Sequence, residues 1–228
     1  MQATPRQRRT TTDARVLDAT ATLLTTGHRY ADLPVERILA AAGVSRSTFY
    51  QRFRDKTGLV QRLAQPGIEE FIAASNAWWQ REIHGSSDVL ADIVKEMFQL
   101  ARTYRPIWLA FLETAETDRE FGAEFRRATD AYAATMASRI DRERREGLVP
   151  ADVDPAQTAR FIVATTRAGI VEILTSEGPA DDDAFARTLG RAFWCAMYAQ
   201  ADSGTSTPRS HRRSEVGAEG FEPPTAGV

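Results

Sequence analysis

Residues 40–56, AAAGVSRSTFYQRFRDK, decide how this chain is read. A run of small residues ends at Gly43, the residue type that most readily takes the left-handed conformation at a helix end. Val44 is expected to pack inward, and Ser45 carries the short acceptor side chain that caps a new helix. The second helix is short and bears hydroxyls, an arginine and an aromatic residue. Two helices joined by a tight glycine turn form a helix-turn-helix, whose second helix is shaped to enter the major groove of DNA.

Working outward, the first of those two helices opens at Asp32-Leu33-Pro34, where a proline in the first turn loses no needed hydrogen bond and Asp32 is available to cap. Val35, Ile38, Leu39 and Ala42 form its apolar face. Upstream, Thr12 begins a helix with Val16, Ala19, Leu23 and Leu24 on one face, ending at Gly27. Downstream, Lys56-Thr57 starts a fourth helix that continues through Leu59, Val60 and Leu63 to Gln65, with Pro66-Gly67 as a joint. The chain then reads as helical throughout: 68–84, 88–103, 106–115, 118–146, 155–176 and 181–201. The clearest stripe is Phe121, Phe125, Ala128, Tyr132, Met136 and Ile140, opposite a charged face. The resulting division is a flexible basic arm (1–11), a helix-turn-helix domain (12–65), a larger helical domain (66–201) and a disordered tail (202–228). The fold class is all-α.

Composition narrows the function classes. Apolar content of 43% and charged content of 26% are those of a soluble globular protein. The net charge of −2 hides an asymmetry: residues 1–67 carry 11 basic and 5 acidic side chains (+6), and residues 68–228 carry 18 and 26 (−8). A basic head on an acidic body points the head alone at a polyanion. No signal peptide and no apolar run of about 18 residues is visible, so a cytoplasmic protein without a membrane span is expected. The lone cysteine, Cys195, sits in an apolar run and reads as a small buried residue. His28, His84 and His211 are scattered, with no metal spacing, no phosphate loop and no partner for the cysteine. These residues do not describe an enzyme, a metal site or a cofactor site.

The DNA reading assigns roles. Ser45, Arg46, Ser47 and Thr48 lie at the end of the third helix that points into the groove. Arg46 has the fork that reads guanine O6 and N7, worth about 1–3 kcal/mol of discrimination. Thr48 offers a methyl or a hydroxyl, Tyr50 a phenol for phosphate, and Gln51 lies further along, while Phe49 faces the core. Arg52 and Arg54 are candidates for backbone contact, and Lys56 for a phosphate clamp.

The stretch AAAGVSRSTFYQRFRDKTGLV closely resembles the helix-turn-helix signature of the tetracycline-repressor (TetR) family: Ala-Gly-Val-Ser, then Thr-Phe-Tyr, a Phe after two intervening residues, and a Lys at the start of the fourth helix. The resemblance is specific over about residues 12–64 and weaker out to about 201. It implies a homodimeric, sequence-specific transcriptional regulator, usually a repressor, released from a palindromic double-stranded operator by a small molecule. Carried over, Ser45, Arg46, Ser47, Thr48, Tyr50 and Gln51 face the groove and Lys56 holds phosphate. One departure is that Leu33-Pro34 stands where family members often place a phosphate-binding Thr or Ser.

The family also places its dimer interface on the last two helices, here supplied with Phe161, Ala164, Ala168, Val171, Phe185, Leu189, Phe193 and Ala196; part of that surface must be ordinary core. An effector pocket implied by the resemblance would draw on Trp78, Met97, Phe98, Tyr104, Trp108, Phe111, Phe125, Tyr132 and Met136, with Thr165 or Glu113 as a polar anchor. A filled aromatic core uses the same residue types. The alternative is therefore a constitutive DNA-binding regulator or an activator that senses no small molecule.

Overall fold

The computed structural model describes residues 5–77, 86–176, 178 and 181–199, and these form nine helices with no strand among them. α1 (Pro5–Thr25), α2 (Val35–Ala42) and α3 (Arg46–Arg52) build the head. α4 (Lys56–Ala77) leads into a body made of α5 (Asp88–Thr103), α6 (Arg105–Thr117), α7 (Arg119–Arg145), α8 (Pro155–Thr175) and α9 (Asp182–Tyr198). The tail from 202 onward, and Trp78 with it, lie outside the described residues.

The head closes around Val16, Leu33, Ile38, Leu39, Ala42, Phe49, Phe53 and Leu59. Its central turn follows the local chemistry. Gly43 is left-handed at φ 61°, ψ 44°, and the Val44 N–H returns to the Leu39 carbonyl at 3.1 Å. Ser45 is extended, and its hydroxyl accepts the Thr48 N–H at 3.2 Å, which starts α3. Arg15 of α1 then donates to the Ala42 and Gly43 carbonyls at 2.5 and 3.0 Å, satisfying the exposed end of α2 from outside.

Three expectations are corrected. α1 begins at Pro5, not at Thr12, because the Gln and Arg residues upstream are good helix formers with nothing to stop them. Asp32 does not cap α2: Pro34 holds the capping position without a side-chain bond, and the Asp32 carboxylate lies 3.9 Å from Arg29. Most consequentially, Pro66-Gly67 is no joint. α4 runs through Pro66 without interruption. A proline inside a helix costs about 3 kcal/mol, and burial offsets it: Leu63, Ala64 and Ala74 are buried on this helix and Phe71 is half-buried, each large apolar side chain contributing about 1.5–3 kcal/mol when fully buried. Gly67 belongs to the same packing, since a Cβ there would lie 3.2 Å from the Tyr104 ring.

The body is held by close helix contacts. α5 packs along α9 and α7 along α8. At Gly190 the approach is backbone to backbone, a Cβ falling 2.4 Å from Ala91 N; at Gly122 it would fall 2.3 Å from Ala115 O. Asp118 caps α7 by accepting the N–H groups of Glu120 and Phe121, and Asp154 caps α8 by accepting those of Ala156 and Gln157. Of the predicted stripe on α7, Phe121, Met136 and Ile140 are buried, Phe125 and Tyr132 half-buried, and Ala128 exposed.

Candidate nucleic-acid interface

The turn at Gly43 and the Ser45 cap aim the start of α3 outward. Ser45, Arg46, Ser47, Tyr50 and Gln51 are exposed and Thr48 is half-buried, while Phe49 and Phe53 lie in the core of the head. Tyr50 is 44% exposed, a large aromatic side chain left in solvent on a basic surface. Its ring packs edge-on against Phe49, with centroids 5.2 Å apart, which fixes its position on α3. The Ser45 hydroxyl lies 3.1 Å from that of Ser47 and 2.8 Å from that of Thr48, so the first turn of α3 presents a linked hydroxyl cluster. Arg46 donates from Nη1 to Glu36 Oε1 on α2 at 2.7 Å, and its guanidinium sits 5.7 Å from the Tyr50 ring centroid.

The remaining basic candidates part company. Arg52 is tied inside the head: its Nε donates to Asp13 at 2.7 Å, with both side chains largely buried at 17% and 15% exposure. Arg62 donates to the other Asp13 oxygen at 2.9 Å and covers the Phe53 ring. Arg54 is exposed and paired with its neighbour Asp55 at 2.9 Å. Lys56 lies at the junction of head and body. Its ammonium donates to the carbonyls of Tyr30 and Ala31 and stands 4.6 Å from the Tyr30 ring centroid. Burial holds its pKa below the usual lysine range. Two of its three donors are thereby used, and one is left for a phosphate. Tyr30 donates its hydroxyl back to the Lys56 carbonyl at 2.5 Å, and burial pushes that phenol above its ordinary range. Leu33 is buried in the head core and Pro34 has no N–H, so neither holds phosphate through the bond that a Thr or Ser makes.

Glu36, Asp13 and Arg15 shape this surface, and sequence reasoning missed them; Glu113, read as a polar anchor of an effector pocket, stands here as well. Glu113 of α6 accepts from Arg29 and, at 3.3 Å, from the Ala31 N–H. Thr57 of α4 donates to Asp118 at 2.8 Å. Between these ties lies a cleft of about 560 Å³ lined by Tyr30, Lys56, Thr57, Glu113, Thr117 and Asp118, among others.

The effector candidates fall into two groups. Trp108 and Phe111 of α6 stack edge-on with Phe71 of α4 and Phe125 of α7, at centroid distances of 5.3–5.9 Å. Tyr132 joins them through a hydroxyl contact with Ser75 of α4. Among the described residues the buried indole N–H of Trp108 has no hydrogen-bond partner. Met97 and Met136 are also buried in the body core, and Tyr104 donates to Glu70 at 2.9 Å. Phe98 instead packs on Phe185 at 5.6 Å and against Gly169 of α8; Thr165 on the same helix is half-buried. Among the dimer candidates, Phe161, Ala164, Ala168 and Val171 are exposed on α8, whereas Leu189 and Phe193 are buried within the protomer and Phe185 and Ala196 are half-buried.

Among the described residues no three His, Cys, Asp or Glu side chains gather as a metal site, and no helix is long and apolar enough to cross a membrane. Cys195 is exposed on α9, contrary to the expectation of a buried residue.

Comparison with known proteins agrees with this geometry. The sequence profile of the bacterial regulatory proteins of the tetR family matches residues 16–63, from the first core residue of α1 to the α4 turn that closes the head. No curated protein matches the chain in sequence. Solved structures match in fold. NalD of Pseudomonas aeruginosa, the secondary repressor of the MexAB-OprM multidrug efflux pump, aligns with a TM-score of 0.65 at 18% identity, over 85% of this chain and 100% of its own. FadR of Bacillus halodurans, a fatty acid degradation regulator, aligns at 0.62 and 16% identity, over 85% and 96%. PfmR of Thermus thermophilus, a TetR family transcriptional regulator, aligns at 0.59 and 17% identity, over 78% and 96%. Residues 16–63 thus carry the signature of the tetR family of bacterial regulatory proteins, and the chain as a whole shares the all-helical fold of the solved TetR-family regulators.

Proposed function

We propose that this chain is a repressor that grips a palindromic operator as a homodimer and is released by a small apolar or aromatic molecule. The observation that carries this reading is the continuity of α4. Its first turn holds Lys56 and Thr57 at the edge of the head, and its last turns hold Phe71 and Ser75 in the aromatic cluster of the body. One rod thus touches both places, and a ligand that moves Phe71 or Ser75 moves the base of the DNA-reading head. The repressor assignment is in keeping with NalD, itself described as a repressor.

Dimerisation is supported by the outer face of α8. Phe161 and Val171 are 45% and 42% exposed there, with Ala164 and Ala168 between them allowing close approach. A second copy covering this stripe would bring two heads onto half-sites about 34 Å apart. The ligand acts only through different affinities for two arrangements of that dimer; a shift from 1:99 to 99:1 needs about 5.5 kcal/mol of such preference.

The constitutive alternative draws on the dense edge-to-face stacking of Phe71, Trp108, Phe111 and Phe125, which a filled core also shows. Selecting random duplex DNA with the purified chain at near-physiological salt, then challenging the complex with a panel of apolar aromatic compounds, separates the readings. A two-fold symmetric site released by a compound supports the proposal. A site whose occupancy no compound changes supports the constitutive regulator, and an asymmetric site defeats the dimer.

A further inference from the structure

Glu36 is an acid on a face that meets a polyanion, where a carboxylate opposes binding. It lies in the first turn of α2, exposed, with its Oε1 accepting from Arg46 Nη1 at 2.7 Å. The favourable position of an acid at a helix start accounts for a carboxylate at 36. It does not account for the contact with Arg46, which bridges two helices across the turn. On its other side the guanidinium rests near the Tyr50 ring. Arg46 is thus held between a carboxylate on α2 and an aromatic ring on its own helix.

That placement has a chemical consequence. A guanidinium carries five N–H donors in a planar fork. Glu36 takes one donor on Nη1 and leaves the Nε and Nη2 edge open, an edge with the two parallel donors that match guanine O6 and N7. An arginine free at this position would reach the nearest phosphate, which adds affinity without sequence information. We propose that Glu36 is a specificity-determining positioning residue: it keeps the Arg46 guanidinium off the phosphate backbone and aligned for one guanine, lowering non-specific affinity in exchange for base selectivity. The proposal rests on the reading that Arg46 faces DNA.

The test uses the full chain as wild type, Glu36→Gln, Glu36→Asp, Arg46→Ala and the Glu36→Gln/Arg46→Ala double variant. The exposed pair contributes little to stability, so all of them fold. Each is titrated with the duplex selected by the wild type, with that duplex altered at the base pair Arg46→Ala relaxes, and with a random duplex, over a range of salt. Glu36→Gln is expected to bind random duplex about three- to ten-fold tighter, and to steepen the salt dependence by about 0.9 per protomer as Arg46 gains a phosphate. Discrimination at the one base pair falls by about ten-fold, within the range a bidentate contact supplies. Glu36→Asp keeps the charge but is one methylene short of the contact, and loses the same discrimination. In the Arg46→Ala background, Glu36→Gln changes discrimination no further.

If Arg46→Ala relaxes a base pair while Glu36→Gln does not, the proposal fails and the DNA reading stands. Wild-type behaviour of Glu36→Asp would show that charge alone matters, which also overturns it. Should Arg46→Ala leave all selectivity unchanged, or should the wild type enrich no sequence, the proposal falls together with its premise.

Discussion

The head and the body of this molecule are held by different means. The head buries eight apolar side chains between α1 and α4, too few to fix its geometry by packing alone. Directional contacts complete it: Arg15 on the end of α2, the Ser45 cap of α3, and Asp13 shared by Arg52 and Arg62. The body has a continuous core from Leu24 to Met197 and brings helices together at Gly122 and Gly190 until backbones touch. A small reading head set by polar ties can be re-aimed by small changes. A large packed body moves between discrete arrangements or not at all.

The largest expected effect breaks one region and spares the other. Phe49 is fully buried among the head residues and stacks on Phe53. Phe49→Ala should cost about 3–5 kcal/mol, enough to unfold a core of this size and abolish DNA binding. Thermal unfolding followed by far-ultraviolet circular dichroism should then show the body melting separately, near the wild-type temperature. A single transition moved to lower temperature would mean that α4 makes head and body one cooperative unit.

Next in size is the same substitution placed in each region. Gly190→Ala sets a Cβ against the backbone of Leu90 and Ala91, which cannot move without separating α5 from α9. Overpacking of this kind costs about 1–3 kcal/mol and sometimes more. Gly43→Ala meets only the far end of Arg15, at 2.6 Å, and its cost is the left-handed backbone, about 1–2 kcal/mol. Urea unfolding should rank Gly190→Ala as the more destabilised. The reverse order would show that Arg15 cannot give way and that the head is the more tightly determined region.

This contrast also explains what the sequence made readable. The turn at Gly43, the Ser45 cap and the span Asp88–Thr103 follow from residues a few positions apart, and the structure has them where the periodicity and turn chemistry place them. Contacts between distant residues left no such mark: Asp13 with Arg52, Glu113 with Arg29, Glu36 with Arg46. Pro66 reads as a break because the cost of a proline is local, whereas the burial that overrides it is spread over α4. On α8 and α9 the apolar residues are plentiful on several faces. Periodicity groups Phe161 with Ala164 and Leu189 with Phe193, but it does not say which group turns inward; the structure buries the second and exposes the first.

Two arginines on α3 sharpen the distinction between holding the head and using it. Arg52 is largely buried against Asp13, so Arg52→Ala leaves that carboxylate with Arg62 alone and one oxygen without its donor, and should cost about 1–3 kcal/mol. Its effect on DNA binding should disappear once stability is restored at low temperature, with no change in salt dependence. Arg46→Ala should leave stability within about 0.5 kcal/mol and alter binding directly, because its ion pair is exposed. Unchanged base discrimination in Arg46→Ala, together with a reduced salt slope for Arg52→Ala, would exchange the roles assigned to them.

The smallest expected effect lies at the junction, on Asp118. Its carboxylate caps α7 of the body and accepts from Thr57 of α4, so head-side and body-side contacts meet on one group. Its pKa is held below the ordinary carboxylate value, first by the Phe121 N–H and then by the Thr57 hydroxyl. A depressed folded-state value means that the stabilisation is fully present above the unfolded-state pKa and is lost as pH falls through the folded one. Removing the hydroxyl with Thr57→Val should raise the Asp118 pKa only part of the way, because the backbone cap remains; carboxyl-carbon NMR titration reads this directly. A value that returns to that of an unperturbed aspartate would mean that the contact with α4, and not the α7 cap, governs this carboxylate. In that case acidification would uncouple head from body before it frays α7, and the junction would belong to the head.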